Sequence, residues 1–439
     1  MRATGCSVAP ASWEILPLDD VCMRITSGGT PSRRAPEFFI GGTIPWVKTQ
    51  ELLDGWIDDT EEHITLDAVK NSSAKILPEQ TVLVAMYGAT VGQLGMLRRP
   101  MSCNQACCAF IVDKSKADFR YLYYQLLNHR HQLKELSTGA AQQNLSGTML
   151  KAYQLPFPKV ETQGRIADVL ASLDNKIELN RRMNETLEAM ARALFRSWFV
   201  DFDPVRAKSE GRPTGLPADL DTLFPSEFED SPLGEIPKGW RAGTVSDVVG
   251  MGRQQVNPGD SPDEVFAHFS IPAFDAGRNP ILEVGFAIKS NKLVVTPGSI
   301  LVSKLNPHIP RVWLTDVDPA YRAVGSTEFF VLQATAPHSS AFLYSLMSSP
   351  EFAVDLQTLV TGTSNSHQRV QPEAFMSYSL VVPPGETATA FESLVKPLLD
   401  QVLANRKEMA QLAKTRDELL PRLLSGEIEV AEEEVALHG

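Results

Sequence analysis

Apolar and polar positions alternate in short runs along the first third of the chain. TVLVAMYG (81–88), CCAFIV (107–112) and QLPFP (154–158) read as strands, with Gly and Pro between them. The texture then changes. From Glu161 to Phe199 there is no Pro, and the one Gly, Gly164, falls in the first turn. The pattern predicts one helix of 39 residues, about 58 Å long at ~1.5 Å per residue. Residues 201–239 hold six Pro and little periodicity, which predicts an extended connector. Strand-like runs return after Trp240 as SILVSKL (299–305), EFFVL (328–332) and YSLVVPP (378–384). A second helical stretch, Glu386 to Leu424, follows. Pro397 and Pro421 interrupt it, and Pro397 is expected to kink or restart it.

The chain therefore repeats itself. TVLVAM (81–86) parallels SILVSK (299–304), and GAAQQNLSGTMLKAYQLPFP (139–158) parallels GTSNSHQRVQPEAFMSYSLVVP (362–383). The two helices align at an offset of 225. Positions 166, 170, 173, 177, 180, 184, 187, 191, 194 and 198 alternate spacings of 4 and 3, a heptad seam, and the offset carries it onto 391–423. Asn180 and Asn405 are equivalent and central in their helices. Antiparallel pairing would bring them together as buried amides that fix register; the alternative is that both lie on a solvated face. Asn184, whose counterpart is Met409, has no such explanation. Leu179, Met183 and Met190 flank the seam and form either a docking face or packing against the chain's own domain.

Composition refines this picture. Across 439 residues, 43% are hydrophobic, as in globular proteins, and the length suits two or three domains. No apolar run approaches ~20 residues, and MRATGCSVAPASW lacks the core of a signal peptide, so a cytoplasmic protein is expected. The net charge of -12 is concentrated: residues 201–239 carry 9 acids and 4 bases, and 427–439 carry 5 acids and no Lys or Arg. The remaining domains are near neutral, so charge neither proves nor excludes a nucleic-acid partner. Cys103, Cys107 and Cys108 lack zinc spacing and read as buried free thiols. There is no P-loop, no Asn-Pro-Pro-aromatic pocket, no Glu-x-Lys pair, no HExxH and no GxSxG, and GMGRQQ (250–255) fails GxGxxG. His129 and His131 suit a helix surface better than a metal site. A duplicated chain without a catalytic constellation reads as a binding scaffold.

LDDVCMRITSGGTP (18–31), IPWVKTQEL (44–52), YGATVGQLG (87–95), the stretch 143–158, ALFRSWFVDFDPVRAK (193–208) and the linker 215–240 carry a resemblance. Over nearly its full length the chain resembles the specificity subunit of type I restriction-modification systems. The resemblance implies an α+β chain: two α/β target-recognition domains in tandem, separated by two long helices pairing as an antiparallel coiled coil. The boundaries are then 1–158 and 240–384 for the domains, 159–200 and 385–426 for the spacer helices, 201–239 for a Pro-rich acidic linker and 427–439 for an acidic tail. It implies double-stranded DNA as ligand, with a bipartite asymmetric target. It also implies two methyltransferase (M) subunits and two restriction/translocase (R) subunits as partners, with no membrane. The chain itself is expected to be non-catalytic, with no metal or cofactor of its own; S-adenosylmethionine, ATP and Mg belong to the partners. The second domain departs from the pattern: GMGRQQVNPGD (250–260) stands where the first has its SGGTP loop, and SKLNPHIPR (303–311) replaces AMYGATVGQ (85–93). Rival readings are a stand-alone DNA-binding regulator or antirestriction decoy of the same fold, which would need no methyltransferase subunit, and an enzyme with an unrecognised site, which would act on DNA alone.

Base reading needs paired donors and acceptors on loops, and phosphate holding needs cations and amides. In the first domain the candidates are Ser27, Thr30, Arg33, Arg34, Tyr87, Gln142, Gln143 and Asn144, with Gly28 and Gly29 allowing close backbone approach. In the second they are Lys304, Asn306, His308, Arg311, Ser364, Asn365, His367, Gln368 and Arg369. Asn180 and Asn405 are the candidate register residues.

Overall fold

The computed structural model describes residues 10–138, 144–361 and 368–430. The chain divides into two compact units, Met1–Ile177 with Gln411–Gly439, and Glu178–Ala410. Both long helices pass through the division, so each unit contains one globular body and a stretch of both helices.

In the first unit a five-stranded sheet runs in the order Cys22–Ser27, Cys107–Val112, Val82–Ala85, Leu94–Leu97, Trp56–Ile57. The first four strands are antiparallel neighbours, and Trp56–Ile57 is parallel to Leu94–Leu97. CCAFIV is apolar at nearly every position because both its faces are covered. Cys108, Phe110 and Val112 join a core with Val82, Val84, Tyr121, Leu122 and the long-helix residues Ile166 and Leu170. Cys107 and Ala109 point the other way, onto Val47, Leu83 and Cys103. The period-two alternation of a strand thus sorts one run of residues into two cores. The expected free thiols are found there, and burial pushes the Cys108 thiol up to about 12.

The second unit repeats the scheme. Val249–Gly252, Phe329–Ala334, Ile300–Ser303 and Val312–Leu314 form an antiparallel sheet in the order of the first four strands of its counterpart. The pair Glu14–Pro17 with Gln154–Phe157 recurs as Arg241–Thr244 with Ser379–Val382. In both units this pair hands the chain to a long helix within three residues. The tandem duplication read from the sequence is therefore present in the strand order.

Residues 201–239 are not an extended connector. They form helices Asp203–Ser209 and Ala218–Asp221 and the hairpin Phe228–Ser231 with Gly234–Pro237. Phe202, Val205 and Phe224 are buried in an aromatic core with Trp198, Phe199, Trp240 and Phe391. Pro204 and Pro217 sit at helix starts and Pro232 in the hairpin turn, and six aromatic rings supply the burial that a low-periodicity segment lacks on its own.

The long helices span Val160–Phe199 and Gly385–Leu424. Every seam position from the 4–3 pattern is buried or half-buried in both. Pro397 neither breaks nor restarts the second helix. It lies on the exposed side, and the Ser393 carbonyl that loses its donor is on the same exposed face, open to solvent. Pairing is antiparallel within each unit: in the first, Arg416 Nη1 donates to Asp174 Oδ1 (2.8 Å); in the second, Arg406 Nη2 donates to Glu188 Oε1 (2.7 Å). Among the described residues no helix is long and apolar enough to cross a membrane.

Asn180 and Asn405 are both buried but do not bond to each other. Asn405 Nδ2 donates to Asn184 Oδ1 (2.9 Å) and Asn405 Oδ1 accepts from Gln401 (2.7 Å), while Asn180 Nδ2 donates to Glu408 Oε2 (2.8 Å). The midpoint argument misses by one helical turn, and the amide left unexplained by symmetry, Asn184, is the partner. Leu179, Met183 and Met190 are exposed at 52, 39 and 52%, so they do not pack on the chain's own domain.

Asn405→Leu should lower stability by about 1–3 kcal/mol, because Asn184 keeps a buried amide without its donor. Adding Asn184→Leu should restore part of the loss by making the pair apolar. A double-mutant cycle from urea unfolding checks this; strictly additive losses would show that the two amides are not coupled.

Candidate nucleic-acid interface

Each sheet has one end where loops collect, and the two ends are built by the same backbone bonds. In the first unit the strand Val82–Ala85 runs into Met86, whose carbonyl accepts from Leu145 N–H (3.0 Å). In the second, Ile300–Ser303 runs into Lys304, whose carbonyl accepts from Val370 N–H (3.1 Å). This bond sets Asn144 beside Tyr87 in the first unit and Arg369 beside Lys304 in the second.

Around the first end, Ser27 closes its strand, exposed. Gly28 N–H donates to Cys107 O (3.2 Å), Gly29 N–H to Cys103 O (2.9 Å), and Trp46 Nε1–H to Gly29 O (3.0 Å). Both glycines are buried. A Cβ on Gly28 would collide with the backbone of Cys103 and Asn104, and one on Gly29 with that of Ser73. Their close approach is therefore to their own chain, and it pins the loop that follows. Thr30 Oγ1 bonds to Gln105 Oε1, and Tyr87, 39% exposed, caps the single turn Gly88–Thr90. Ser27, Thr30, Tyr87 and Asn144 are thus gathered on one rim.

Arg33 is engaged elsewhere. It grips Glu62 through both guanidinium nitrogens (2.5 and 3.0 Å) and lies over the rings of Phe39 and Trp46, 4.6 and 5.3 Å from their centroids. Hydrogen bonds from Arg33 and then Lys48 hold the Glu62 carboxyl down at about 2. Arg34, next in sequence, is exposed with no side-chain partner among the described residues.

At the second end Lys304 Nζ donates to Thr327 O (2.8 Å) and sits 5.1 Å from the Phe330 ring centroid; burial pushes its pKa down. Asn306 takes a left-handed backbone (φ 51°), its N–H donates to Gln368 O (2.9 Å), and its Oδ1 is buried without a partner. Arg369 is bidentate to Glu328 (3.0 and 2.8 Å). His308 is exposed. Lys304, Asn306, Gln368 and Arg369 are brought together. Arg311 is not: its side chain is 11% exposed and bidentate to Asp275 (2.7 and 2.9 Å), an ion pair inside the domain. Gln142, Gln143, Ser364, Asn365 and His367 lie outside the described residues.

Sequence reading did not single out Gln105, which bonds to Thr30, or Arg253, Gln255 and Glu373, which line a cavity in the second unit. GMGRQQ attracted notice only as a failed glycine motif. The available signal was position, since Arg253 directly follows the strand Val249–Gly252, as the Ser27–Gly28 turn closes Cys22–Ser27.

Residues 10–189 match the family model of the type I restriction modification DNA specificity domain. Over 98% of this chain and 97% of the relative, it is 27% identical to the type I restriction enzyme MjaIX specificity subunit of Methanocaldococcus jannaschii. It is 28% identical to the HindI specificity subunit of Haemophilus influenzae over 64% of this chain and 70% of that one. The fold is shared with the crystal structure of a type I restriction-modification S subunit from M. genitalium (TM-score 0.56, 15% identity, 94 and 96% of the two chains covered). The chain is thus similar over nearly its full length to specificity subunits of type I restriction-modification systems.

Two variants separate free from committed cations. Arg34→Ala should leave the melting temperature unchanged, weaken DNA binding for all sequences alike and reduce the salt slope by about one. Arg311→Ala should cost about 1–2 kcal/mol in stability and leave the salt slope alone. Glu62 gives a pH signature. Its carboxyl is lower in the folded chain than its ordinary 4.5, so its pairing stabilises above the ordinary range and is lost as pH falls toward about 2. Glu62→Gln should therefore flatten the acid limb of a melting-temperature profile between pH 6 and pH 2.

Proposed function

We propose that this chain is the DNA-recognition subunit of a type I restriction-modification assembly, each domain reading one half of a bipartite, asymmetric duplex target. One observation carries the reading: the same loop-bearing sheet end is built twice, with the same backbone bonds and different side chains. Met86, Tyr87 and Asn144 in one domain stand against Lys304, Leu305 and Arg369 in the other. Two identical ends would suit a symmetric target, and unlike ends suit two different half-sites.

In this reading the chain positions DNA and leaves chemistry to its partners, acting in the cytoplasm. Two methyltransferase subunits supply adenine methylation with S-adenosylmethionine, and two restriction/translocase subunits use ATP and Mg. The gathered residues Ser27, Thr30, Tyr87, Asn144, Lys304, Asn306, Gln368 and Arg369, with the exposed Arg34 and His308, face the DNA. Arg369 exchanges Glu328 for the ligand, which raises selectivity because the carboxylate competes with weak contacts. The paired helices act as the spacer between the half-sites.

Selection of bound duplexes from a random pool by the chain with its methyltransferase partners tests this. The expected product is two unlike half-sites separated by a fixed gap. Deleting one heptad from each helix removes about 10 Å, or about three base pairs at ~3.4 Å each, from that gap. An unchanged gap would contradict the spacer role, and enrichment of one uninterrupted sequence would contradict the two-domain reading.

A further inference from the structure

A cavity of about 290 Å³ lies at the loop-bearing end of the second unit's four-stranded sheet. Met251, Leu293, Phe329 and Phe330 line its apolar part, and Lys304 reaches it from the strand end. Arg253, Gln255 and Glu373 supply its other polar side chains. All three are exposed, and none has a side-chain hydrogen bond or ion pair among the described residues. They differ in this from their neighbours, since Lys304 is bound to Thr327 O and Arg369 to Glu328. No ion pair joins Arg253 to Glu373 either.

The three free groups are chemically distinct: a guanidinium that only donates, an amide that does both, and a carboxylate that only accepts. A phosphate site does not include a free carboxylate, which repels the anion at short range. A base edge does need such a mixture. In the major groove guanine presents two acceptors, N7 and O6, and its cytosine partner presents one donor, N4. A guanidinium and a carboxylate on one rim answer the two edges of a single pair. The guanidinium is already unpaired, so contact breaks no internal ion pair.

We propose that this cavity reads a G·C pair of the second half-site through the major groove, with Arg253 donating to guanine and Glu373 accepting from cytosine. The inference rests on the DNA-recognition reading above and deepens it. Gln255 faces the neighbouring pair, where its amide suits adenine.

The test uses the full chain assembled with its methyltransferase partners and selection from a random duplex pool, comparing wild type with Arg253→Ala and Glu373→Gln. Both side chains are exposed and unpartnered, so thermal melting should be unchanged and a folding defect is excluded by the same sample. At one base pair of the second half-site, preference for G·C should fall about tenfold or more in both variants. The first half-site and the salt slope should stay as in wild type. Unaffected preferences, or losses at two separate base pairs, would overturn the proposal. So would an equal loss for every sequence with a salt slope lower by about one, since that marks Arg253 as a phosphate contact. A wild-type chain that enriches no sequence overturns the DNA-recognition reading itself; a selective wild type with unaffected variants overturns the cavity's role alone.

Discussion

Everything in this chain hangs on polar partners buried between two antiparallel helices. A seam of Leu and Ile alone tolerates slipping by a turn, because one apolar contact replaces another. Asn184 with Asn405, and Glu188 with Arg406, do not tolerate it. Moving either helix by a turn strands a carboxylate or amide out of water, at several kcal/mol for an unpaired buried charge. Arg278 adds a third group to Glu188 from the globular body (3.3 Å), and Arg406 reaches the Leu314 carbonyl (3.4 Å). The helix register and the seating of the sheet on the helices are thus set by one cluster. The first unit uses the same device with the signs exchanged: there the acid, Asp174, lies on the helix that follows its own sheet, and it also accepts from Tyr124 Oη (2.7 Å).

On this frame the two domains keep backbone geometry and change side chains. The bonds Leu145 to Met86 and Val370 to Lys304 preserve one loop anchor, so the residues beside it vary without disturbing the sheet. Arg369 at the second end is paired with Glu328, while Arg33 and Arg311 are held away from the ends by Glu62 and Asp275. Local pairing leaves few free cations at the loop-bearing ends. Attraction then comes from a few free groups, and discrimination from the cost of opening the rest.

Much of this was legible in the sequence. Strand periodicity, the duplication and the seam all follow from apolar spacing, and spacing is what sets secondary structure and pairing face. Residue-level contacts were less so. Asn180 and Asn405 were correctly expected to be buried, yet the register differs by one turn, because Glu188 and Glu408 lie off the seam and their reach decides which amide meets which. Arg311 looked like a DNA contact because Asp275, its partner, is 36 residues away and invisible to local patterning. Residues 201–239 looked like an extended connector because their order comes from rings that meet across the chain: Phe224 packs on Trp198, which packs on Phe391, and Phe202 packs on Trp240. Gly28 and Gly29 were read as allowing close backbone approach to DNA; the surface they approach in the fold is the backbone of Cys103 and Ser73.

Mapping methylated adenines in the genome of a cell that carries this chain with the methyltransferase subunits proposed as its partners tests the central claim most directly. Two unlike recognition ends on one fixed-register frame predict a single interrupted sequence with different halves and a constant gap. A continuous motif, a palindrome with equal halves, or a gap that varies from site to site would contradict the account.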